Sequence, residues 1–521
     1  MNRRNFLIKG SLSMCAVGLS KFSFSRTFKA PVFQQAMSMD HDRALVIIRL
    51  NGGNDGLNTV IPVDQYENLL IQRPDILIPQ SDLLPLAGYN LALHPKMTGM
   101  QQLFNNGELS IIQNVGAEAG RSHFRATEVW LSGIGDQTHP ESETGWLGRV
   151  LDVEYPGFPM DYPNANETDP FAITFSTTPS GTCEGHEGNF AHPVLNPYDT
   201  SNISGGTTPG TPNSYAADHL EYLQFLGEQT NEYNGRISDA VNLGNSLSTN
   251  YGTDNVSLAM QNVAKLISGG LQSKIYVVEV GGFDTHSNQV DATDVIEGNH
   301  ANLWEKISTA VSAFQEDLHL LNLNERVMGM TFSEFGRQIA QNGSRGTDHG
   351  DAACMFLFGS CVNEQVIGNN PIIDDFITNA NGLDQEIDYR DVYSTLLKDW
   401  FGLSNPDIEQ NFEDYGINYL NLLDPCIYVG TPDIQKEQLN AKVYPNPSTG
   451  TSYLEINLPE GPADFIMVDL KGRLIGQFRR TIPYSGEHHL TLPVEQLDSG
   501  TYFLRIRSND FDRKVRFSIR K

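Results

Sequence analysis

The feature that most constrains the fold is a series of short apolar runs, each bordered by a loop rich in Gly, Asp, Glu or His. Ala44–Leu50 ends in Asn51-Gly52-Gly53-Asn54-Asp55-Gly56, Leu109–Asn114 is a second run, and Lys274–Val280 leads into Gly281-Gly282-Phe283-Asp284-Thr285-His286. Arg326–Phe332 is followed by Ser333-Glu334-Phe335-Gly336-Arg337, and Thr347-Asp348-His349-Gly350 precedes Ala353–Phe358. Near-continuous apolarity marks strands buried on both faces. Helical patterns separate them, over roughly 216–250, 256–269, 299–321 and 391–401. The alternation predicts an α/β domain with a mostly parallel sheet and helices on both faces, its site in the loops beyond the strand ends. We assign this domain to residues 40–425. Residues 155–215, dominated by Pro, Gly, Asn, Thr and Ser, are expected to be a loop insertion over the active-site face.

Charge divides the chain further. The 521 residues carry a formal net charge of −28, but the first 29 hold six Lys/Arg and no acid, and residues 436–521 hold 13 Lys/Arg against 10 Asp/Glu. The stretch between has 16 against 53, a net of −37. So acidic a body excludes nucleic acid as a partner, because such binding needs a basic surface. It also disfavours a polyanionic substrate and points to a small or neutral-bodied one.

Both basic ends look like labels. Residues 1–29, opening Asn2-Arg3-Arg4-Asn5-Phe6-Leu7-Ile8-Lys9 before a short apolar stretch, have the layout of an export signal and resemble the twin-arginine type. No stretch approaches the ~18 consecutive apolar residues of a permanent membrane span. Beyond a polar linker, 426–439, the pattern changes to short alternating strands: 441–444, 452–458, 464–470, 474–480, 488–492, 501–507 and 513–519. Seven such strands predict an all-β sandwich over 440–521. Within it, Val443-Tyr444-Pro445-Asn446-Pro447, Val468-Asp469-Leu470-Lys471-Gly472-Arg473 and Leu497-Asp498-Ser499-Gly500-Thr501-Tyr502 resemble the type A C-terminal sorting domain of type IX secretion cargo. The resemblance implies the type IX machinery as a partner, and passage through the periplasm of a Bacteroidota-type bacterium to the medium or cell surface.

Cys15 falls in the signal. Cys183, Cys354, Cys361 and Cys426 remain and permit up to two disulfides, with the pairing open. None sits in a CxxC, and a bridge between Cys354 and Cys361 is unexpected, because both lie in or near one strand.

Three carboxylates and two imidazoles, Asp55, Asp284, His286, Glu334 and His349, fall at the ends of successive strands of one sheet. Jointly they are suited to one or two divalent cations: zinc on the strength of the histidines, manganese, calcium or magnesium on the strength of the carboxylates. Each has an ordinary structural reading as well, such as turn chemistry for Asp55 or a salt bridge from Glu334 to Arg337.

The order of these motifs resembles the alkaline-phosphatase/sulfatase superfamily, and more closely its twin-arginine-exported branch, the domain of unknown function 1501, over about residues 40–405. The runs that carry the likeness are 50–58, 116–133, 281–286, 330–337 and 346–359, with Asp391–Leu397 similar to the helix that closes the superfamily's fold. The resemblance implies an alkaline-phosphatase-like fold, with Asp284, His286 and His349 holding one metal and Asp55 and Glu334 the other. It places the nucleophile at Ser122, with Arg125 (or Arg121) on the ester oxygens and His123 as acid/base or ligand; Ser122 is also a ready helix N-cap. The chain departs from the pattern in three places. One residue, not three, separates Asp284 from His286, Phe335 follows Glu334 where a histidine is usual, and Asn51 stands where an aspartate closes the first strand. The expected function is secreted, metal-dependent hydrolysis of a phosphate or sulfate ester, small or glycan-linked. The alternative is a catalytically inactive surface protein that binds glycan or calcium.

Overall fold

The computed structural model describes residues 43–423, apart from 136–141, 201–202, 204–214, 364–365, 375–376, 378–380 and 414. It also describes 441–521, apart from 447, 449–450, 459, 470–473, 485, 495–496 and 509–510. The expected signal (1–29) and the expected linker (426–439), with Cys426, lie outside the described residues. The chain divides into two compact units, Met1–Ile427 and Tyr428–Lys521.

The first unit is built on a nine-stranded sheet. Its strands are β1 (Ala44–Asn51), β2 (Leu109–Gly116), β3 (Ala172–Phe175), β4 (Ala191–Pro193), β5 (Ile275–Gly281), β6 (Val327–Phe332), β7 (Ala353–Phe358), β8 (Val366–Ile367) and β9 (Ile387–Asp388). They lie in the order β8-β2-β7-β6-β1-β5-β3-β4, with β9 also on β2. β1 pairs in parallel with both β5 and β6. Successive β1 side chains point to opposite faces: Leu45 and Ile47 join one buried cluster, Val46, Ile48 and Leu50 the other. Burial of each such side chain contributes about 1.5–3 kcal/mol.

Helices cover both faces, as expected. On one lie α1 (Thr98–Asn105), α5 (Asn255–Ser268) and α6 (Asn299–Leu320), and on the other α2 (His123–Ser132), α3 (Trp146–Glu154) and α7 (Tyr389–Thr395), with α4 (Tyr215–Leu243) joining the first group through Ile237 and Val241. α5 shows the local logic. Asp254 caps its first turn by accepting from the Val256 and Ser257 amides, and Val256, Met260, Val263 and Ile267 form its buried stripe.

Two features depart from expectation. β7 runs antiparallel to both β2 and β6. Its N-terminal approach, Thr347–Gly350, therefore reaches the edge at which β1, β2, β5 and β6 end, and that reversal brings His349 to the site. Residues 155–215 are not simply an inserted loop: they supply β3 and β4, which extend the sheet in parallel from β5. Short strands of four and three residues vanish in a Gly/Pro-rich composition. Their anchors are aromatic, with Tyr155, Phe158, Tyr162, Phe171 and Phe190 stacked in one buried group.

Cys183 and Cys354 are free and buried. Cys361 is disulfide-bonded. Among the described residues no helix is long and apolar enough to cross a membrane.

The second unit has the seven expected strands, all paired antiparallel: Ala441–Tyr444, Ser452–Leu458 and Gly486–Leu492 in one sheet, and Gly461–Asp469, Leu474–Ile482, Gly500–Ser508 and Phe511–Ile519 in another. Leu454 and Ile456 from the first sheet and Phe465, Leu504, Ile506 and Phe517 from the second share one core. This is a β-sandwich.

Candidate metal centre

Four loops meet at the sheet edge, and a glycine lets two of them touch. Gly52 has φ +125°, and a Cβ on it would lie 2.2 Å from the Asp284 amide nitrogen. Its own N–H donates to Glu334 Oε1 at 2.8 Å. The buried Arg337 then joins all four loops. Its guanidinium donates to the carbonyls of Gly52, Gly53 (2.8 Å), Phe283 (3.0 Å) and Thr347 (2.8 Å), and to Asp284 Oδ1 (2.7 Å). Arg337 thus pairs with Asp284, not with Glu334.

Asp284 is the hub. His286 Nε2 lies 3.1 Å and His349 Nε2 3.2 Å from its Oδ1, while His123 Nε2 lies 3.5 Å from its Oδ2. The other ring nitrogen of each histidine is held from behind. His349 Nδ1 donates to the Arg121 carbonyl (2.9 Å), His286 Nδ1 sits 2.8 Å from Asp348 Oδ1, and His123 Nδ1 sits 3.0 Å from Glu334 Oε1. A carbonyl only accepts, so His349 keeps its proton on Nδ1 and turns the Nε2 lone pair inward. Burial holds the His349 pKa below its ordinary value, so the ring is neutral at pH 7. Hydrogen bonds from Asn342 and His286 lower that of Asp348, which accordingly accepts. The Nε2 atoms of His286 and His349 face each other at 2.8 Å. Two lone pairs at that separation repel unless a proton or a cation sits between them. Burial works against a charge on Asp284, but the hydrogen bond and the charge of Arg337 outweigh it and keep the carboxyl below its ordinary pKa.

Of the residues expected here, the structure brings together Asp284, His286, His349, Glu334 and His123. The donor atoms of His123, Asp284 and His349 all lie within 4.8 Å of one another. Nitrogen and carboxylate donors at this spacing fit a divalent cation such as zinc. Asp55 is elsewhere engaged. It is fully buried, Arg73 Nη1 contacts both its oxygens (3.1 and 3.0 Å), Gln289 donates to Oδ2 (2.6 Å) and the Leu57 amide to Oδ1 (3.2 Å). Burial opposes this charge too, and Arg73 outweighs it, holding the pKa low. No carboxylate oxygen of Asp55 is left for a second cation.

Ser122 occupies the N-cap of α2, yet its side chain makes no capping bond there. Arg125 pairs with Glu128 one turn on, at 2.9 Å, and Arg121 makes a two-point pair with Asp351 (2.9 and 2.5 Å). Beside them a cleft of about 450 Å³ is lined by Gly120, Arg121, Asp351 and Gln385, with the carboxylates of Glu118 and Asp384. Two contributors have no role in the sequence reading, Asp348 and Arg73, and Arg337 has only that of a partner for Glu334. Asp348 had a signal, its place directly before His349; Arg73 had none.

Residues 228–401 match the family model described as "Protein of unknown function (DUF1501)", and residues 442–520 match the secretion system C-terminal sorting domain. The resemblance read from the motifs is thus matched over 228–401 of the 40–405 span and over nearly all of the C-terminal segment. No curated protein matches the chain. Among solved structures, one similarity is to PorZ, a surface component of the type-IX secretion system of Porphyromonas gingivalis, at 21% identity and TM-score 0.13. That match covers 17% of this chain and spans 13% of the length of PorZ. A protein in the alkaline phosphatase superfamily from Vibrio parahaemolyticus is similar at 10% identity and TM-score 0.34, over 92% of this chain and 91% of that one. A phosphonate monoester hydrolase from Silicibacter pomeroyi is similar at 9% identity and TM-score 0.29, over 91% and 89%.

Proposed function

We propose that the chain is a secreted, metal-dependent hydrolase of phosphate or sulfate esters. The observation that carries this reading is the convergence of imidazole Nε2 atoms on Asp284, each ring fixed through its Nδ1 as metal-binding histidines are. Asp284, His286 and His349 would hold the cation, with zinc favoured by the nitrogen donors. When bound, a divalent cation polarises an ester oxygen and lowers the pKa of the attacking hydroxyl or water. The protein's part is positional. Arg337 holds Asp284 and the four loops, Asp348 and the Arg121 carbonyl orient His286 and His349, and the acidic cleft admits a neutral polar body more readily than a second anionic group. Ser122, its hydroxyl outside any cap bond, is the side-chain nucleophile of this reading. Export is assigned to the twin-arginine route and then the type IX machinery.

A second reading, a non-catalytic surface protein that binds glycan or calcium, draws on one observation. Arg121 and Arg125, the cations placed to grip ester oxygens, are engaged by Asp351 and Glu128. The full chain, loaded with zinc and assayed on phosphate monoesters, phosphate diesters and sulfate esters, separates the two. We expect turnover that disappears in His349→Ala and falls at least about 10²-fold in Ser122→Ala. Turnover kept in Ser122→Ala would leave the hydrolase and remove its nucleophile. No turnover of any ester, together with glycan binding, would favour the second reading.

A further inference from the structure

His123 stands beside the centre, and the motifs leave its role open between acid/base and ligand. We infer that His123 is a ligand of the same cation, so that the centre draws three imidazoles and one carboxylate from three loops and holds one cation, not two. The inference rests on the metal-centre reading above and goes beyond it.

Three observations support the assignment. First, His123 Nε2 faces Asp284 Oδ2, while Arg337, His286 and His349 all crowd Oδ1. Two overlapping triads therefore share Asp284 and His349, one completed by His286 and the other by His123. Donors bonded at 2.0–2.1 Å to a tetrahedral zinc lie about 3.3 Å apart. The three contacts to Asp284, at 3.1, 3.2 and 3.5 Å, bracket that value.

Second, the ring is held as a ligand is held. Glu334 is 4% exposed, and its Oε1 takes both the Gly52 N–H and His123 Nδ1. The backbone fixes the carboxylate and the carboxylate fixes the imidazole, the relation by which outer carboxylates orient metal-bound histidines. Phe335 and His349 pack against the ring, with centroids 5.0 and 4.4 Å away.

Third, the donors of a second centre are used otherwise. Arg73 and Gln289 occupy Asp55, and Glu334 supports His123. Two buried oxygens without partners among the described residues remain, Glu334 Oε2 and Asn51 Oδ1. Two oxygens fall well short of the six to eight that calcium takes.

The test is metal binding by the full chain, read without activity. Zinc content is measured by mass spectrometry, affinity by competition with a chelating dye, and geometry by the visible spectrum of the cobalt(II)-substituted protein. We expect one equivalent per chain. His123→Ala and His123→Gln should each weaken binding more than about 100-fold and change the cobalt spectrum, whereas Glu334→Gln should weaken it about 10–100-fold. A folded His123 variant with wild-type affinity and spectrum would overturn the assignment, as would two equivalents of zinc. Loss of binding in His286→Ala and His349→Ala but not in either His123 variant would leave the hydrolase reading standing while removing this one. Absence of any zinc binding by the wild type would remove both.

Discussion

The loop after β1 and the loop after β5 lie side by side at one sheet edge, and each presents an aspartate. The two meet opposite fates. Asp55 has no exposed side-chain surface, and both its oxygens are bonded to a guanidinium with none of its own. The Asp284 side chain is 46% exposed, and its buried arginine partner reaches only Oδ1, leaving Oδ2 toward His123. Both carboxyls stay ionised for the same reason, an arginine that outweighs burial. What separates a structural carboxylate from one available to a cation is how many of its oxygens the arginine takes. Position at a strand end does not decide it.

The largest break in this comparison should come from Arg73→Met. It leaves the Asp55 charge buried without its counter-ion, which costs about 3–5 kcal/mol. Urea unfolding should show that loss, with zinc content unchanged. A fall in zinc content matching the fall in stability would mean that Asp55 does belong to the metal centre.

Acid should strike the β1 side next. His300 is fully buried, its Nε2 accepts from Trp304 and lies 3.1 Å from Asn54 Oδ1, and burial pushes its pKa from 6.5 to about 4. His94, similarly buried, is pushed to about 3. Both folded values lie below the unfolded one, so between pH 6.5 and 4 the unfolded chain binds more protons. The stability contributed by the neutral rings is fully present above pH 6.5 and is lost as pH falls toward 4. For His300 the loss is roughly 3 kcal/mol. His300→Gln should flatten the dependence of Tm on pH across that window, and an unchanged slope would show that another group drives it.

The elements of both regions were legible where periodicity carries the information. The five apolar runs became β1, β2, β5, β6 and β7 within two residues at each end, and the seven sandwich strands appeared in order. Direction was not legible. Ala353–Phe358 reads the same whether parallel or antiparallel, and only pairing with β2 and β6 reverses it. The short β3 and β4 were masked by their Gly/Pro-rich surroundings. At the site, Asp284, His286 and His349 declared themselves by residue type beside a strand. The role of Asp55 did not, because Arg73 follows the short helix Tyr66–Gln72, 18 residues along the chain from Asp55, and the pair exists only in three dimensions. Arg337 was noted only as a partner for Glu334, since four of its five acceptors are backbone carbonyls, which leave no trace in side-chain patterns.

The smallest effect on stability is expected at the other aspartate. Asp284→Asn keeps the side-chain shape and an oxygen for Arg337, whose remaining bonds are to carbonyls of the three neighbouring loops. A half-exposed ion pair contributes about 0–1 kcal/mol, so the metal-free variant should unfold within about 1 kcal/mol of the wild type. Removing the charge takes away the one carboxylate the three imidazoles share, and zinc affinity should fall steeply. The contrast with Arg73→Met is the informative part. One variant should lose stability and keep its metal, and the other should lose its metal and keep its stability. If Asp284→Asn instead unfolds as readily as Arg73→Met, then Asp284 acts chiefly as the counter-ion that anchors Arg337, and the two aspartates do the same work after all.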